Sequence, residues 1–232
     1  MKILAADTTT VINTVAVCNG PRLLAETVVD CGRTHTERLM ETVDWVLGQA
    51  GLALGGLDAL AISTGPGSFT GLRVGVSAWK GLAMGTGLPL VPVATLDAMT
   101  NLGSFHNALV CPLLDAKMGE VFGAVFRFDG GRRTRLIDAR ACPVEELIPA
   151  LDGTVFFLGD GALLYRDIIT ARVEGAVFVP PSCGMPRASA VAREALAMLD
   201  AGLTGGADAE RVAPVYLRTP QAQRPRGRAY TP

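Results

Sequence analysis

Residues 65–75 read GPGSFTGLRVG, with four glycines, one proline and two hydroxyls in eleven positions. Residues this small suit either a cradle for phosphate or a close approach of two backbones. A P-loop needs G-x-x-x-x-G-K-[ST], in which the lysine meets the terminal phosphates and a hydroxyl meets magnesium. Here Gly71 is followed by Leu72 and Arg73, so both side chains are missing. A nucleophile elbow needs glycine two residues either side of its serine, whereas Ser68 has Pro66 and Thr70 at those places. A dinucleotide fingerprint matches Gly65-x-Gly67-x-x-x-Gly71 loosely, but it also requires an acid about 20 residues on to hold a ribose. The strand-like run there, PLVPV, carries none. What remains is packing: Gly71, Gly75, Ala78 and Gly85, with Gly81 beside them, trace one face of a helix. Glycine inside a helix costs about 0.5–1 kcal/mol relative to alanine. Such a face therefore implies an offsetting contact, either with the chain's own core or with another subunit.

Other residues with chemical potential are scattered. Asp115 and Glu120 are acids five apart, but they bracket a turn, which suits turn stabilisation better than acid–base work. The two histidines, His35 and His106, lie 71 positions apart, so there is no H-x-x-x-H pair to chelate a metal from one helix face. His35 reads as a residue at a helix start. Five cysteines (Cys18, Cys31, Cys111, Cys142, Cys183) are odd in number, widely spaced and never in C-x-x-C, the pattern of reduced thiols in a cytosolic protein. A net charge of −1 excludes a global attraction to nucleic acid. The exception is the end of the chain, where Arg211, Arg218, Arg224, Arg226 and Arg228 occur without an acid among them.

The elements that must position these residues follow from periodicity. Strands are expected at 2–7, 13–18 and 22–29, with Asn19-Gly20-Pro21 as a turn. A helix follows over 34–50, where Thr34-x-x-Glu37 forms a capping box ahead of Leu39, Val43, Val46 and Leu47. Then come a buried strand at 57–63, the glycine stretch leading a helix to about Met84, a strand at 89–93 and a short helix near 95–102. The second half repeats this order, with strands at 108–114, 120–128 and 134–140, a helix at 144–150, a strand at 154–158, a helix at 162–170, a strand at 176–180 and a helix at 188–201. The order βββαβα thus appears twice, each time with an acid closing the first strand, Asp7 and then Asp115. Two mixed sheets with helices on their faces define an α/β, actin-like architecture (the ASKHA, ribonuclease H-like class) in two lobes. The predicted division is 1–104 for the first lobe, carrying dimerisation helices, 105–202 for the second and 203–232 for a partly flexible tail. At 49 % hydrophobic residues a packed core is expected. No run approaches the ~20 apolar residues that span a bilayer, and the first ten residues do not read as a signal peptide. A cytoplasmic location and no membrane partner are expected.

Five segments occur in an order that resembles a known family. They are Asp7-Thr8-Thr9-Thr10, GPGSFTGLRVGVSAWKGLAMG, Leu114-Asp115-Ala116-Lys117 with Glu120-Val121-Phe122, Gly159-Asp160-Gly161-Ala162, and Pro214-x-Tyr216-Leu217-Arg218. Over nearly the whole chain they look like the bacterial TsaB (YeaZ) family of tRNA threonylcarbamoyladenosine biosynthesis. The resemblance implies a subunit that is not itself the catalyst. Its paralogue TsaD would hold the metal and transfer the group to the adenosine beside the anticodon, and the ATPase TsaE would join them. It implies contact with tRNA only through the complex, and a homodimer when TsaD is absent. The helices at 34–50 and 70–85 would form the interface, through His35, Leu39, Val43 and Val46 on one and Gly71, Leu72, Gly75, Ala78, Trp79 and Leu82 on the other. No intrinsic cofactor or metal is implied, with ATP or ADP left open at the cleft or at the complex interface. In actin-type folds the two strand turns hold phosphates, which here would be Asp7, Thr8 and Thr10 on one side and Asp115 on the other, with Gly159 and Gly161 near an adenosine. The kinases of this fold use D-x-G-x-T in the first turn; this chain has D-T-T-T, and threonine limits the approach of backbone to phosphate. Two rival readings are a free-standing ATP-dependent small-molecule kinase and a module that binds tRNA directly through the arginine-rich tail.

Overall fold

The computed structural model describes residues 1–30, 35–203 and 209–218, with the side chains of residues 35–37 and 150 not described. The capping Thr34, Cys31 and the tail arginines Arg224, Arg226 and Arg228 lie outside the described residues, and so does the side chain of His35.

Strands β1 (Lys2–Asp7), β2 (Ile12–Asn19), β3 (Arg22–Asp30), β4 (Ala59–Gly65) and β5 (Leu90–Ala94) form one sheet in the order β3-β2-β1-β4-β5. The first three are antiparallel and β1, β4 and β5 are parallel. A second sheet, β10-β9-β6-β7-β8, repeats the same order. Its strands are β6 (Ala108–Lys117), β7 (Glu120–Asp129), β8 (Arg132–Cys142), β9 (Val155–Leu158) and β10 (Ala176–Phe178). The duplicated βββαβα order is therefore the architecture of the chain. β4 is buried at all seven residues, as a central parallel strand covered on both faces must be.

Helices α1 (His35–Ala50) and α2 (Phe69–Thr86) cover one face of the first sheet. Leu39, Val43 and Val46 of α1 meet Leu72's neighbours Val76 and Trp79 of α2 over Leu4, Val15, Val17 and Ile62. The opposite face is covered by α7 (Ala188–Asp200), a helix that sequence order assigns to the second lobe. Ala188, Val191, Ala192 and Ala195 pack on Ile3, Ala5, Ala16, Ala61 and Val93. In return α3 (Thr95–Met99) from the first half lays Leu96 and Met99 on Val110, Leu114 and Phe126 of the second sheet. The two sheets are made from successive parts of the chain, but their layers are not, because the halves exchange one helix each. Small residues on α7 and on the strands it covers let the exchange happen at close range.

Two polar clamps hold the exchanged helix. The Glu26 carboxylate accepts bonds from the Ser189 N–H (2.9 Å) and hydroxyl (2.8 Å) and from Arg187 Nη2 (3.0 Å), capping the start of α7 from β3. At its middle Glu194 forms a two-pronged pair with Arg133 of β8 at 2.5 and 2.9 Å. Two sequence expectations change locally. The helix expected at 144–150 is a pair of 3-10 turns, Val144–Glu146 and Ile148–Ala150, because Pro149 has no N–H to donate to the Glu145 carbonyl four positions back and its ring crowds that carbonyl. The helix at 162–170 breaks at Tyr165 into α4 (Asp160–Leu164) and α5 (Arg166–Thr170), and a single turn, α6 (Pro181–Gly184), precedes α7. Among the described residues no helix is long and apolar enough to cross a membrane.

Cys18, Cys111 and Cys142 are buried and Cys183 is exposed. Burial, then the nearby Glu26 charge, pushes the Cys18 thiol up to about 11, and burial pushes those of Cys111 and Cys142 up as well. In a Cys31→Ser protein, a thiol reagent at pH 8 is expected to titrate Cys183 alone until the chain is unfolded. A thiol kept protonated by the fold supports stability below its ordinary pKa and loses that support as pH rises through the folded value. The urea midpoint should accordingly fall as pH is raised toward 11; a flat midpoint together with rapid labelling of more than one thiol contradicts the buried placement.

Candidate functional site

The glycine stretch sits against the first turn of the chain. After β4, a cis Gly65–Pro66 bond and Gly67 lead into α2, whose first turn is capped by the Ser68 hydroxyl accepting from the Gly71 N–H at 3.3 Å. The loop is fastened by the Ser68 N–H to the Thr9 carbonyl at 2.7 Å, and the Thr8 hydroxyl donates to the Gly71 carbonyl at 2.8 Å. A methyl group on Gly71 would lie 1.9 Å from the Thr8 carbonyl oxygen, on Gly67 2.5 Å from Thr9 Cβ, and on Gly75 2.3 Å from the Thr8 hydroxyl. These glycines are therefore the seat of the Asp7–Thr10 turn. The interface role given to Gly71 and Gly75 is corrected: both are buried, and the partner they were chosen for is the chain itself.

The same correction applies to most of the expected interface. Leu39, Val43, Val46, Leu72 and Trp79 are core residues, each 1 % exposed or less. Trp79 was expected as an interface anchor; instead its Nε1–H donates to the Leu4 carbonyl at 3.4 Å beneath α2. Ala78 and Leu82 are half-buried against that core. The outward surface of the two helices is made by Trp45, Met40 and Met84, which sequence reading passed over as contacts, and by glycines that include Gly81 and Gly85 of the small-residue face. Trp45 is 52 % exposed, Met40 43 % and Met84 67 %, and Gly48, Gly81 and Gly85 have open space where a side chain would stand. The signal that could have found them was the apolar residue on the far side of the α1 stripe, Trp45 among Glu41, Asp44 and Gln49.

The cleft candidates come together in two places. In the first lobe Asp7, Thr8 and Thr10 are buried. The Asp7 carboxylate accepts from the Thr9 N–H (2.9 Å), the Thr9 hydroxyl (2.7 Å) and the hydroxyl of Ser63, a residue that sequence reading missed. Thr14, opposite Asp7 in the strand register, keeps a buried hydroxyl with no partner. In the second lobe Asp115 pairs with Lys117 at 2.5 Å, and Asp160 accepts from the N–H groups of Asp115 (3.0 Å) and Gly161 (2.9 Å). The Asp115 pair raises the Lys117 ammonium above its usual range. Gly159 and Gly161 let α4 lie directly on β6: a methyl on Gly159 would be 2.1 Å from the Leu113 carbonyl oxygen. In the first turn the Asp7 carboxylate is engaged by the Thr9 and Ser63 donors, and the Thr8 and Thr9 carbonyls lie against the start of α2. Arg218 fills the second turn, donating to the carbonyls of Ala116 (2.9 Å) and Lys117 (3.3 Å) and pairing with Glu120 at 3.0 Å. Arg218 was expected in a free basic tail; this ligation removes it from that role. Asp115 and Glu120 stabilise the turn between β6 and β7, each holding a cation.

The fold defines a two-lobed, actin-like protein, with the β6–β7 turn of its second lobe held by Arg218 of the same chain. The family model for TsaD, tRNA N6-adenosine threonylcarbamoyltransferase, matches residues 29–225. The tRNA threonylcarbamoyladenosine biosynthesis protein TsaB of Escherichia coli is 33 % identical over 225 residues, covering 94 % of this chain and 95 % of that protein. YeaZ from Pseudomonas aeruginosa superposes with a TM-score of 0.77 at 26 % identity, covering 93 % of this chain and 99 % of that one. The activator of 2-hydroxyisocaproyl-CoA dehydratase from Clostridium difficile, solved with bound ADPNP, shares the fold alone, with a TM-score of 0.53 at 11 % identity over 88 % of this chain and 97 % of that one. The chain belongs to the TsaB (YeaZ) family.

Proposed function

We propose that this chain works in tRNA threonylcarbamoyladenosine biosynthesis as a subunit without chemistry of its own, binding and scaffolding the transferase TsaD, with the ATPase TsaE joining the complex. Alone it pairs with a second copy of itself, and it meets tRNA through the complex in the cytoplasm. The observation that carries this reading is the outer surface of α1 and α2. Exposed Trp45, Met40 and Met84 stand beside glycines with room for an approaching helix, the combination of aromatic anchor and close backbone access that protein interfaces use. The filled turns of the cleft support the non-catalytic part, since a phosphoryl-transfer site needs backbone and cation groups free to meet phosphate.

The test is co-purification with TsaD. Trp45→Asp and Gly81→Leu change solvent-facing positions, so neither variant is expected to lower its urea midpoint, while each loses TsaD by at least tenfold in affinity, about 1.4 kcal/mol. Undiminished binding by both variants removes the interface assignment. In cells depleted of the protein, threonylcarbamoyladenosine in tRNA should fall; a normal level, or steady ATP turnover by the chain alone that is lost in Asp7→Ala, overturns the functional reading.

A further inference from the structure

Residues 209–218 follow α7 and run across both lobes. Their root is fixed: Val212 is buried in the core under α2, and Lys80 Nζ donates to the carbonyls of Glu210 (2.9 Å) and Val212 (3.2 Å). Next the Val215 N–H donates to the Thr64 carbonyl at the end of β4 (2.7 Å), and the Val215 carbonyl occupies the space a side chain on Gly65 would need, 2.6 Å away. Tyr216 packs against Phe69 with tilted rings, centroids 5.0 Å apart, and accepts a bond from Arg73 Nε at 3.2 Å, while Arg73 lies over the Phe69 ring at 4.0 Å. Arg218 then crosses to the second lobe and ligates the turn between β6 and β7. That turn holds two consecutive non-glycine residues in the left-handed region, Lys117 (φ 63°) and Met118 (φ 59°), a conformation that persists only when its surroundings enforce it. Arg218 braces it beside Asp115, bonded to the Ala116 carbonyl before the strained pair, to the Lys117 carbonyl within it and to Glu120 just beyond it.

We infer that residues 212–218 form a releasable latch between the lobes, with a permanent root at Val212 and Lys80 and a tip, Val215–Arg218, that can lift. The tip belongs to the low-stability end of the molecule by ordinary criteria: Val215 is 49 % and Tyr216 39 % exposed, and the segment has no regular secondary structure. Closed, it fixes the angle between the two sheets from the side of the cleft turns. Lifted, it frees the β6–β7 turn from its enforced conformation and leaves the exchange of α3 and α7 as the hinge about which the lobes swing. Two-lobed proteins commonly close such a cleft around a ligand; here a segment of the chain does the closing.

The test uses full-length protein in which Cys31 and Cys183 are serine and spin labels sit on Val11→Cys in the first lobe and Leu164→Cys in the second, both exposed positions. Arg218→Ala is expected to lengthen and broaden the interlobe distance distribution. Amides over 115–121 should exchange about tenfold faster, with β1 and α7 unchanged, as in a local rather than global opening. Tyr216→Ala, which leaves the second lobe untouched, should give the same distance change to a smaller extent. An unaltered distance distribution in both variants, or acceleration of exchange spread equally over β1 and α7, overturns the latch.

Discussion

Gly71→Ala lowers the stability of the isolated chain by about 3 kcal/mol, whereas Gly81→Ala and Gly85→Ala raise it by up to about 1 kcal/mol each. The opposite signs come from what stands over each position. At Gly71 an added methyl meets the Thr8 carbonyl oxygen at 1.9 Å. That oxygen belongs to a buried turn whose own bonds to Ser68 and Gly71 would have to be given up for it to move. Helix α2 must therefore shift off the sheet, and the strain propagates to Trp79 and Val76 in the core. At Gly81 and Gly85 a methyl meets nothing within 4 Å, so only the helix preference of alanine and the lower entropy of its unfolded state remain. Urea denaturation of the three variants distinguishes the positions. For a chain of this length 3 kcal/mol also corresponds to a fall in Tm of about 6–12 °C. Were Gly71 a subunit contact, its alanine variant would keep the midpoint of the wild type and lose affinity for a partner instead. That result would remove the seat described for the Asp7–Thr10 turn.

Glu194→Ala is the second large effect, with an expected loss of about 3–5 kcal/mol. Arg133 is held by both oxygens of Glu194, by the Asp97 carbonyl at 3.1 Å and by the Thr100 hydroxyl at 2.7 Å. Asn101 adds a further bond to Glu194 at 2.7 Å. With the Glu194 side chain 10 % exposed and that of Arg133 28 %, neither charge can return fully to water while the fold is intact. Removing Glu194 leaves Arg133 largely desolvated, with only the more distant Asp97 carboxylate at 3.8 Å as counter-charge. Replacing both, as in Arg133→Met with Glu194→Leu, should recover most of the loss, because two apolar groups of similar size carry no such penalty. Equal destabilisation in the single and double variants would show that packing of α7, and not the charge pair, sets the cost. Asp97 also holds Arg135, so this cluster ties β8 of the second sheet to both exchanged helices.

The fold was legible from the amino-acid order because the repeated βββαβα pattern needs only the existence of each element, and each strand announces itself by its apolar run. Boundaries moved by a few residues and two helices broke, at Pro149 and at Tyr165, without changing the topology. The candidate site was legible only in part. Periodicity placed Gly71, Gly75 and Gly85 on one helix face, but that face changes neighbours along its length. Its first two turns press on Thr8, and its last turn runs out past the sheet into solvent. A helical wheel has no term for what lies opposite at each level. For the same reason Trp79 and Trp45, both tryptophans on amphipathic helices, received the wrong emphasis: the first is covered completely and the second stands half exposed. The ligation of the β6–β7 turn by Arg218 joins residues about a hundred positions apart, beyond the reach of any local pattern.

The exchange of helices sets the order of events during synthesis. When a ribosome has released residues 1–104, the strands of the first sheet are complete, yet one whole face of it, with Ile3, Ala5, Ala16, Ala61 and Val93, still waits for α7, which lies close to a hundred residues later in the chain. The nascent first half must keep that apolar face uncovered while the second sheet is made, a window in which chains of this kind are exposed to aggregation and to chaperones. Each half expressed alone is expected to fail to fold, and the two lobes should unfold in a single transition.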